Sequence, residues 1–299
     1  MQTKRPVIFG EVLFDRFPDG SVVLGGAPFN VAWNLQAFGQ APLFISRVGI
    51  DALGERICES MTGWSMDTSH VQLDPSHPTG TVDVSIHDDE PSYDIVPGSA
   101  YDFMAPGDFF ALKDVALLYH GSLALRNEVT RKTLEVLVSQ VSAPRFVDVN
   151  LRAPWWQRQE VLDIISGAAW VKLNDAELNL LSAAGPAHEE QGDELLRNYE
   201  LEGLILTRGS RGAELVSADT RISVAPERAT RVVDTVGAGD AFASVMLLGL
   251  LQQWPPELML ERAQAFASAV VGLRGATTTD VDFYAHFTSV WGVQCNRQA

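Results

Sequence analysis

A glycine-containing loop followed by an acidic residue lies in the last third of the chain. Residues 231–251 read RVVDTVGAGDAFASVMLLGLL, so Gly237, Ala238 and Gly239 lie between a β-branched run and Asp240. Small residues let backbone N–H groups converge without side chains in the way, and a helix amino terminus adds partial positive charge. The pattern predicts an anion cradle at the start of a helix that is buried on all sides.

Asp240 has two interpretations. An aspartate at a helix start is often an N-cap, which stabilises the helix by about 1 kcal/mol. A cap needs no preceding Gly-Ala-Gly, whereas phosphoryl transfer needs donors to the equatorial oxygens and a carboxylate near the attacking hydroxyl. The loop therefore favours a catalytic set in which the amides of residues 237–239 hold the phosphoryl group and Asp240 orients and deprotonates the acceptor hydroxyl.

Other phosphate-binding and catalytic motifs are absent from the sequence. It has no Gly-Lys pair, which excludes a Walker A loop, and no G-x-G-x-x-G, which removes the usual dinucleotide fingerprint of a nicotinamide oxidoreductase. The G-x-S-x-G, H-E-x-x-H and protein-kinase motifs are also missing. Any nucleotide must therefore be held in a different way.

Apolar runs rich in Val, Ile and Phe alternate with helical patterns along the chain. The runs are VIFGEVLF, PLFISRVG, VALLYHG, RFVDVN, AWVKLN and LEGLILTRG. Such runs are typical of strands buried on both faces of a mostly parallel sheet. We therefore expect an α/β protein, with a central sheet flanked by helices, in a single domain over residues 1–299.

One segment has a different pattern. In TVDVSIHDDEPSYDIV (81–96), Val82, Val84 and Ile86 alternate with polar residues that include Thr81, which predicts a half-exposed hairpin turning at 88–91. A second short strand at 21–24 is expected to pair with this hairpin. The resulting small sheet is either an ordinary edge hairpin or a β-sheet lid formed by residues 12–25 and 78–104.

The composition excludes several classes of partner. The chain has 299 residues with 22 basic and 38 acidic side chains, a net charge of -16, and therefore repels nucleic acid and anionic membranes. Two isolated cysteines, Cys58 and Cys295, do not form a disulfide framework or a CxxC metal site. Because charged residues interrupt the first apolar run, a signal peptide is not predicted and a cytoplasmic protein is expected.

Several motifs together resemble one family. DTVGAGDAF (234–242) and GGAPFNVAWNLQAFG (25–39) resemble the two signatures of the PfkB, or ribokinase-like, carbohydrate kinases. GEVLFD, VKLNDAE, TRGSRGA and GLRGAT extend the similarity along essentially the whole chain. The resemblance implies a ribokinase-like fold and an ATP-dependent, Mg²⁺-dependent kinase that transfers the γ-phosphoryl group to a primary hydroxyl of a small sugar.

The expected substrate follows from the closer resemblance to bacterial fructokinases. GEVLFDRFPDG, DVNLRAPWW and PSYDIVPGSAYDF are most similar to that branch, which makes fructose the expected acceptor and fructose 6-phosphate the product. The alternatives are kinases for 2-keto-3-deoxygluconate, ribose, aminoimidazole riboside or another nucleoside. A sugar- or nucleotide-binding protein without catalysis is a further alternative, although it would have little need for Asp240 beside an anion cradle.

The resemblance also implies roles for individual residues. Implied sugar contacts are Asp15, Gly25, Gly26, Asn30, Arg152 and Asp240. Implied ATP contacts are Asn174, Thr207, Gly209, Gly212, Gly237, Gly239 and Ser268. Glu177 is implied to hold Mg²⁺ through water, and a monovalent cation such as K⁺ is implied near Asp234, Val236, Gly275 and Thr279. Two matters stay open: Arg208 either faces solvent or contacts phosphate, and the hairpin either stays free or forms a homodimer through the lid.

Overall fold

The computed structural model describes residues 4–87, 90–107, 112, 114–182, 188–226 and 232–293. Strands and helices alternate along these ranges. The strands are β1 (Arg5–Phe9), β2 (Leu13–Arg16), β3 (Val22–Gly25), β4 (Leu43–Gly49), β5 (Val71–Asp74), β6 (Gly80–His87), β7 (Glu90–Ile95), β8 (Val115–His120), β9 (Arg145–Asp148), β10 (Trp170–Asn174), β11 (Gly203–Thr207), β12 (Ala213–Val216) and β13 (Arg221–Val224). The α-helices are α1 (Ala27–Ala37), α2 (Ala52–Gly63), α3 (Glu128–Gln140), α4 (Arg158–Ile165), α5 (Asp175–Leu181), α6 (His188–Asn198), α7 (Ala238–Leu251), α8 (Pro256–Val270) and α9 (Val281–Trp291).

The large sheet confirms the predicted α/β class. Its order is β13-β12-β11-β10-β9-β8-β1-β4-β5, and pairing is parallel from β11 to β5 and antiparallel only at β12 and β13. Helices α1, α2, α7, α8 and α9 contribute to the hydrophobic core on one face, while α3 to α6 cover the other. Continuous apolar runs are required because both faces of these strands are buried.

A second sheet of four strands, called the small sheet here, has the order β3-β2-β6-β7. The run VIFGEVLF is therefore not one strand as predicted, because residues 10–12 carry the chain out of the large sheet and into the small one. Consequently Asp15, which directly follows this run and would end a single first strand, lies inside β2 instead. The expected direct pairing of the 21–24 segment with the hairpin is also wrong: β3 pairs with β2, and β2 pairs in parallel with β6.

The alternation in β6 is confirmed in its central part. Val82 and Val84 are buried on one face, and Asp83 is exposed on the other. Thr81 is buried as well, contrary to the pattern. The reason is that β6 begins where the small sheet meets the rest of the protein, and Gly80 packs there against the Tyr101 ring. Residues 88 and 89 of the predicted turn lie outside the described residues.

The topology also indicates where a ligand binds. Strand β1 leads on to β4 on one side, whereas its other neighbour, β8, leads on to β9 in the opposite direction, so the chain connections diverge between β1 and β8. In open α/β sheets, ligands bind at such a switch point, beyond the carboxyl ends of the strands. Within the described ranges, no helix combines the length and the apolar character needed to cross a membrane.

Candidate active site

The Gly-Ala-Gly loop forms the amino terminus of α7. Gly237 is the N-cap, with φ of 78°, and a Cβ atom there would collide with Ala276, so the position requires glycine. The first intrahelical hydrogen bond runs from the Ala241 amide to the Gly237 carbonyl at 2.8 Å, so the amides of Gly239 and Asp240 precede it. Residues 241–249 are buried, as predicted. The positive end of the helix dipole therefore borders a low-dielectric interior.

Asp240 is not the N-cap, since Gly237 holds that position. Its Oδ2 accepts a hydrogen bond of 2.7 Å from Asn30 Nδ2, although the two residues are 210 positions apart. Burial raises the pKa of Asp240 above its ordinary value, while the Asn30 hydrogen bond and the charges of Lys172 and Arg152 oppose that rise. A carboxylate held in one orientation with a raised pKa is suited to accept a proton from a hydroxyl.

The predicted sugar contacts lie around this pair. Gly26 is the N-cap of α1 with φ of 109°, and a Cβ atom there would lie 2.8 Å from the Glu11 carbonyl oxygen. Its own carbonyl accepts the Asn30 amide at 2.8 Å. A Cβ atom on Gly25 would lie 3.5 Å from Asp15 Oδ2. These contacts link Asp15, Gly25, Gly26 and Asn30 through neighbouring backbone on the side of the site that faces the small sheet.

Arg152 follows β9 and is exposed. Its guanidinium nevertheless acts on the acidic groups of the site: burial raises the pKa of Asp15 to about 6, and the Arg152 charge opposes this shift. The same charge also opposes the rise that burial causes in the pKa of Asp240. The structure therefore places the positive charge of Arg152 near both Asp15 and Asp240.

A buried ion pair lies beneath the cradle. Lys172 Nζ is 2.9 Å from both carboxylate oxygens of Asp148, and both residues are buried. The ammonium is also 3.6 Å from the position of a Cβ atom on Gly239. Burial alone would lower the pKa of Lys172, but the Asp148 carboxylate outweighs the effect of burial and raises that pKa. The Lys172 ammonium therefore stays protonated. Neither residue stands out in the sequence, where each is a charged residue on a largely apolar run.

Asn174 and Glu177 form a capping box at the start of α5. Asn174 Oδ1 accepts the Glu177 amide at 3.0 Å, and Glu177 Oε2 accepts the Asn174 amide at 2.8 Å. Glu177 Oε1 accepts the Leu151 amide at 2.8 Å, and the side chain is buried rather than a surface group. Because both oxygens already receive backbone N–H groups, the remaining lone pairs fit contact with metal-bound water better than direct ligation.

The strand beside Asn174 carries the other predicted nucleotide residues. Thr207 at the end of β11 is in register with Asn174 at the end of β10, and Gly209 and Gly212 follow within a short 3-10 turn. Arg208 is not free in solvent, because its guanidinium forms ion pairs with the carboxylates of Asp175 at 3.3 Å and Glu214 at 2.6 Å. The turn is therefore fixed by charge pairing around its first residue.

The loop before the cradle is joined to the segment after α8. Asp234 accepts hydrogen bonds from the amides of Val236 at 3.0 Å and Gly275 at 3.1 Å. Thus the structure brings together three of the four residues predicted for a monovalent cation, while Thr279 lies further along and is exposed. Ser268 hydrogen-bonds Gln264 within α8, one turn before the Val271 carbonyl that accepts the Asp234 amide.

Sequence reasoning missed two buried charged residues near the site. Glu11 is 3% exposed, and burial raises its pKa to about 7. Arg126 Nε forms an ion pair with Asp102 Oδ1 at 2.7 Å, and the guanidinium carbon lies 4.6 Å from the centre of the Trp155 ring. In the sequence Glu11 is visible as a charged residue that interrupts the first apolar run and as part of GEVLFD, and neither feature predicts a buried side chain at the site. In the ranges that the structure describes, no three His, Cys, Asp or Glu side chains group as ligands for a metal ion.

Comparison with known proteins identifies the family. Residues 6–282 match the pfkB family of carbohydrate kinases. Fructokinase from Salmonella typhimurium is 30% identical over 292 residues, which cover 91% of this chain and 94% of that protein. A double mutant of the Vibrio cholerae fructokinase, solved with fructose, ADP and a potassium ion, is 25% identical with a TM-score of 0.79 over 95% of this chain and 98% of the other. The chain belongs to the pfkB carbohydrate kinase family, as the sequence motifs indicated.

A third protein extends the structural comparison. Aminoimidazole riboside kinase from Salmonella enterica, solved with aminoimidazole riboside and an ATP analogue, has a TM-score of 0.81 at 23% identity. The match covers 96% of this chain and 99% of that chain. The ribokinase-like fold is therefore shared with proteins that are named for different acceptors, and the fold alone does not define the sugar.

Proposed function

We propose that this protein is an ATP-dependent fructokinase that transfers the γ-phosphoryl group to the primary hydroxyl at carbon 6 of fructose. The observation that carries the proposal is the Asp240 carboxylate, held by Asn30 in the first turn of α7 directly after a bare-backbone loop. This arrangement supplies a base and an anion cradle side by side. The fructokinase relatives favour fructose within the family.

In the proposed mechanism, Asn30 fixes the Asp240 carboxylate so that its oxygen accepts the proton of the acceptor hydroxyl. The amides of Gly239 and Asp240 donate to the transferring phosphoryl group, and the Lys172 ammonium behind Gly239 adds positive charge. Phosphoryl transfer depends mainly on such positioning and charge stabilisation. Asn174, Thr207, Gly209, Gly212 and Ser268 are proposed to line the ATP site.

Metal ions complete the proposal. The donor set around Glu177 fits outer contact with hydrated Mg²⁺, which commonly keeps several waters and binds substrate phosphates. When bound, Mg²⁺ would supply charge neutralisation for the phosphates. A monovalent cation is proposed beside Asp234, Val236 and Gly275, without a part for Thr279; the potassium ion in the Vibrio cholerae fructokinase supports this proposal.

The small sheet is proposed to act as a lid in a single-domain kinase. Val23 and Tyr93 on its edge strands are 40% and 47% exposed, and they share a sheet face with Asp15 by register. Such exposed apolar groups would be covered by bound sugar or by the same sheet of a second copy, so we propose a homodimer through the lid. Light scattering at micromolar concentration tests this assembly, and a monomeric mass would reject it.

A coupled ADP-release assay tests the proposed activity. The acceptors are fructose, ribose, 2-keto-3-deoxygluconate, adenosine and aminoimidazole riboside, each with ATP, Mg²⁺ and K⁺. We expect the highest kcat/KM with fructose, because differences in a few hydroxyl contacts discriminate strongly between polyols. A higher value with another acceptor would replace fructose, and absence of turnover with all five would contradict the kinase proposal.

A further inference from the structure

Three buried polar atoms around the candidate site have no hydrogen-bond partner among the described residues. They are Oε2 of Glu11, Oδ1 of Asn30 and Nη1 of Arg126. Buried polar side-chain atoms in folded proteins are nearly always hydrogen-bonded, so each of these atoms calls for a partner beyond those that the described residues provide. The position of Glu11 indicates what that partner is.

Glu11 lies at the switch point of the large sheet. It follows β1 at the carboxyl edge, in the three residues that lead into β2 and the small sheet. Its carbonyl oxygen contacts Gly26, which in turn accepts the amide of Asn30. The side chain is 3% exposed. Glu11 is therefore part of the same wall as the predicted sugar contacts.

Charged groups on three separate parts of the chain act electrostatically on Glu11. Burial is the largest influence on its pKa and raises it to about 7; Asp240 in α7 raises it further, and the guanidinium groups of Arg152 and Arg126 lower it. The negative charge of Glu11 in turn helps to raise the pKa of the Tyr101 and Tyr119 hydroxyls. The Glu11 carboxyl is thus within electrostatic reach of Asp240, whose carboxylate is held by Asn30, the residue that carries another of the three unpaired atoms.

Arg126 is fixed with one nitrogen unused. Its Nε and Nη2 donate to the Asp102 carboxylate at 2.7 and 2.8 Å, and Nη2 also donates to the Val96 carbonyl at 2.9 Å and to the Tyr101 hydroxyl oxygen at 3.1 Å. The Trp155 ring covers the guanidinium. Among the described residues Nη1 finds no partner, so Arg126 offers the two N–H groups of one oriented nitrogen.

The chemistry of the three atoms selects a neutral hydroxyl group. A cation would be repelled by Arg126, and an anion by Glu11 and Asp240. A hydroxyl both donates and accepts, so it satisfies the acceptor oxygen of Glu11 or Asn30 and the donor nitrogen of Arg126. We propose that Glu11 is a sugar-binding residue, and that with Arg126 it binds a hydroxyl of the acceptor other than the one that Asp240 activates. This inference rests on the proposed kinase function.

The first test compares Glu11→Gln and Glu11→Leu with the wild type in the ADP-release assay, with fructose and ATP. Gln keeps a neutral hydrogen bond and Leu removes it, so we expect KM for fructose to rise about tenfold in Glu11→Gln and further in Glu11→Leu at pH 8.5. KM for ATP should stay within twofold. Glu59→Gln, on the exposed face of α2, is the control and should match the wild type.

The second test identifies which fructose hydroxyl Glu11 contacts. Among 1-deoxy-, 3-deoxy- and 4-deoxy-fructose, one analogue should lose at least tenfold in kcat/KM with the wild type and much less with Glu11→Gln, which is the signature of a direct contact. If no analogue shows this coupling, or if both Glu11 variants keep the wild-type KM for fructose, then the unpaired atoms hold water and the assignment is wrong.

A third measurement needs no variant and covers the case in which Glu11 substitutions do not fold. In the wild type, the loss caused by the critical deoxy analogue should differ at least fivefold between pH 6 and pH 8.5, since the Glu11 carboxyl changes charge between them. Equal losses at both pH values for every analogue would overturn the proposal. Absence of turnover with every acceptor would overturn the proposed kinase function as well, whereas normal turnover with unchanged KM contradicts only the role of Glu11.

Discussion

Replacement of Glu11 by Gln should change how the stability of the protein depends on pH. Burial raises the pKa of this carboxyl from 4.5 to about 7, so the folded state binds its proton more tightly than the unfolded state by about 3 kcal/mol. The corresponding stabilisation is fully present below pH 4.5 and is lost as the pH rises through 7. Glutamine stays neutral and does not show this loss.

The measurement is urea unfolding of wild type and Glu11→Gln at pH 5, 6, 7 and 8. Relative to the wild type, the variant should gain roughly 2–3 kcal/mol of unfolding free energy between pH 5 and pH 8. Packing differences between Glu and Gln act equally at each pH and cancel from this change. The exposed control Glu59→Gln should show no such trend. A stability difference that is constant across the four pH values would refute the assignment of a buried, proton-binding Glu11.

Three further predictions concern the base, the ion pair and the cation. Asp240→Asn should lower kcat by roughly 10²- to 10⁴-fold in the ADP-release assay with KM for ATP nearly unchanged, because the base is lost and the cradle is kept; near-normal turnover would contradict the role of Asp240. Lys172→Met should lower the unfolding free energy by about 3–5 kcal/mol, because it leaves the buried Asp148 carboxylate unpaired. Adding Asp148→Asn should recover part of that loss in urea unfolding, and no recovery would show that the pair is not coupled. Replacing K⁺ by Li⁺ should reduce kcat/KM several-fold, and an unchanged value would contradict the cation proposed beside Asp234.

Much of the large sheet could be predicted from the sequence, because strands buried on both faces need continuous apolar runs. The division of VIFGEVLF into β1 and β2 could not, since the parts of the run that fall in the two strands, VIF and LF, are both apolar. The parallel pairing of β2 with β6 joins residues more than sixty positions apart, and no local pattern encodes such a partner. Only the alternation in β6 itself was visible.

The candidate site shows the same limit. The Gly-Ala-Gly loop and Asp240 were recognisable because a glycine loop before a buried helix has a local physical reason. The hydrogen bond between Asn30 and Asp240 depends on the packing of α1 against α7 and has no local signature. Lys172 and Asp148 were hidden for a similar reason: each is a charged residue on a largely apolar run, and their pairing appears only when the two strands are neighbours.

The charges of the assembled site are separated in a way that fits transfer between a neutral acceptor and a polyanionic donor. The helix amino terminus at Gly237 and the ammonium of Lys172 lie on one side, where phosphate oxygens would bind. Glu11 and Asp15, which both have raised pKa values, lie toward the small sheet, with Asp240 between the two sides. Because acidic groups with pKa values near 6 and 7 are only partly ionised at neutral pH, sugar binding should be linked to proton uptake or release there. This linkage would be absent if the acidic groups faced bulk solvent, since exposed carboxyls titrate far below neutral pH.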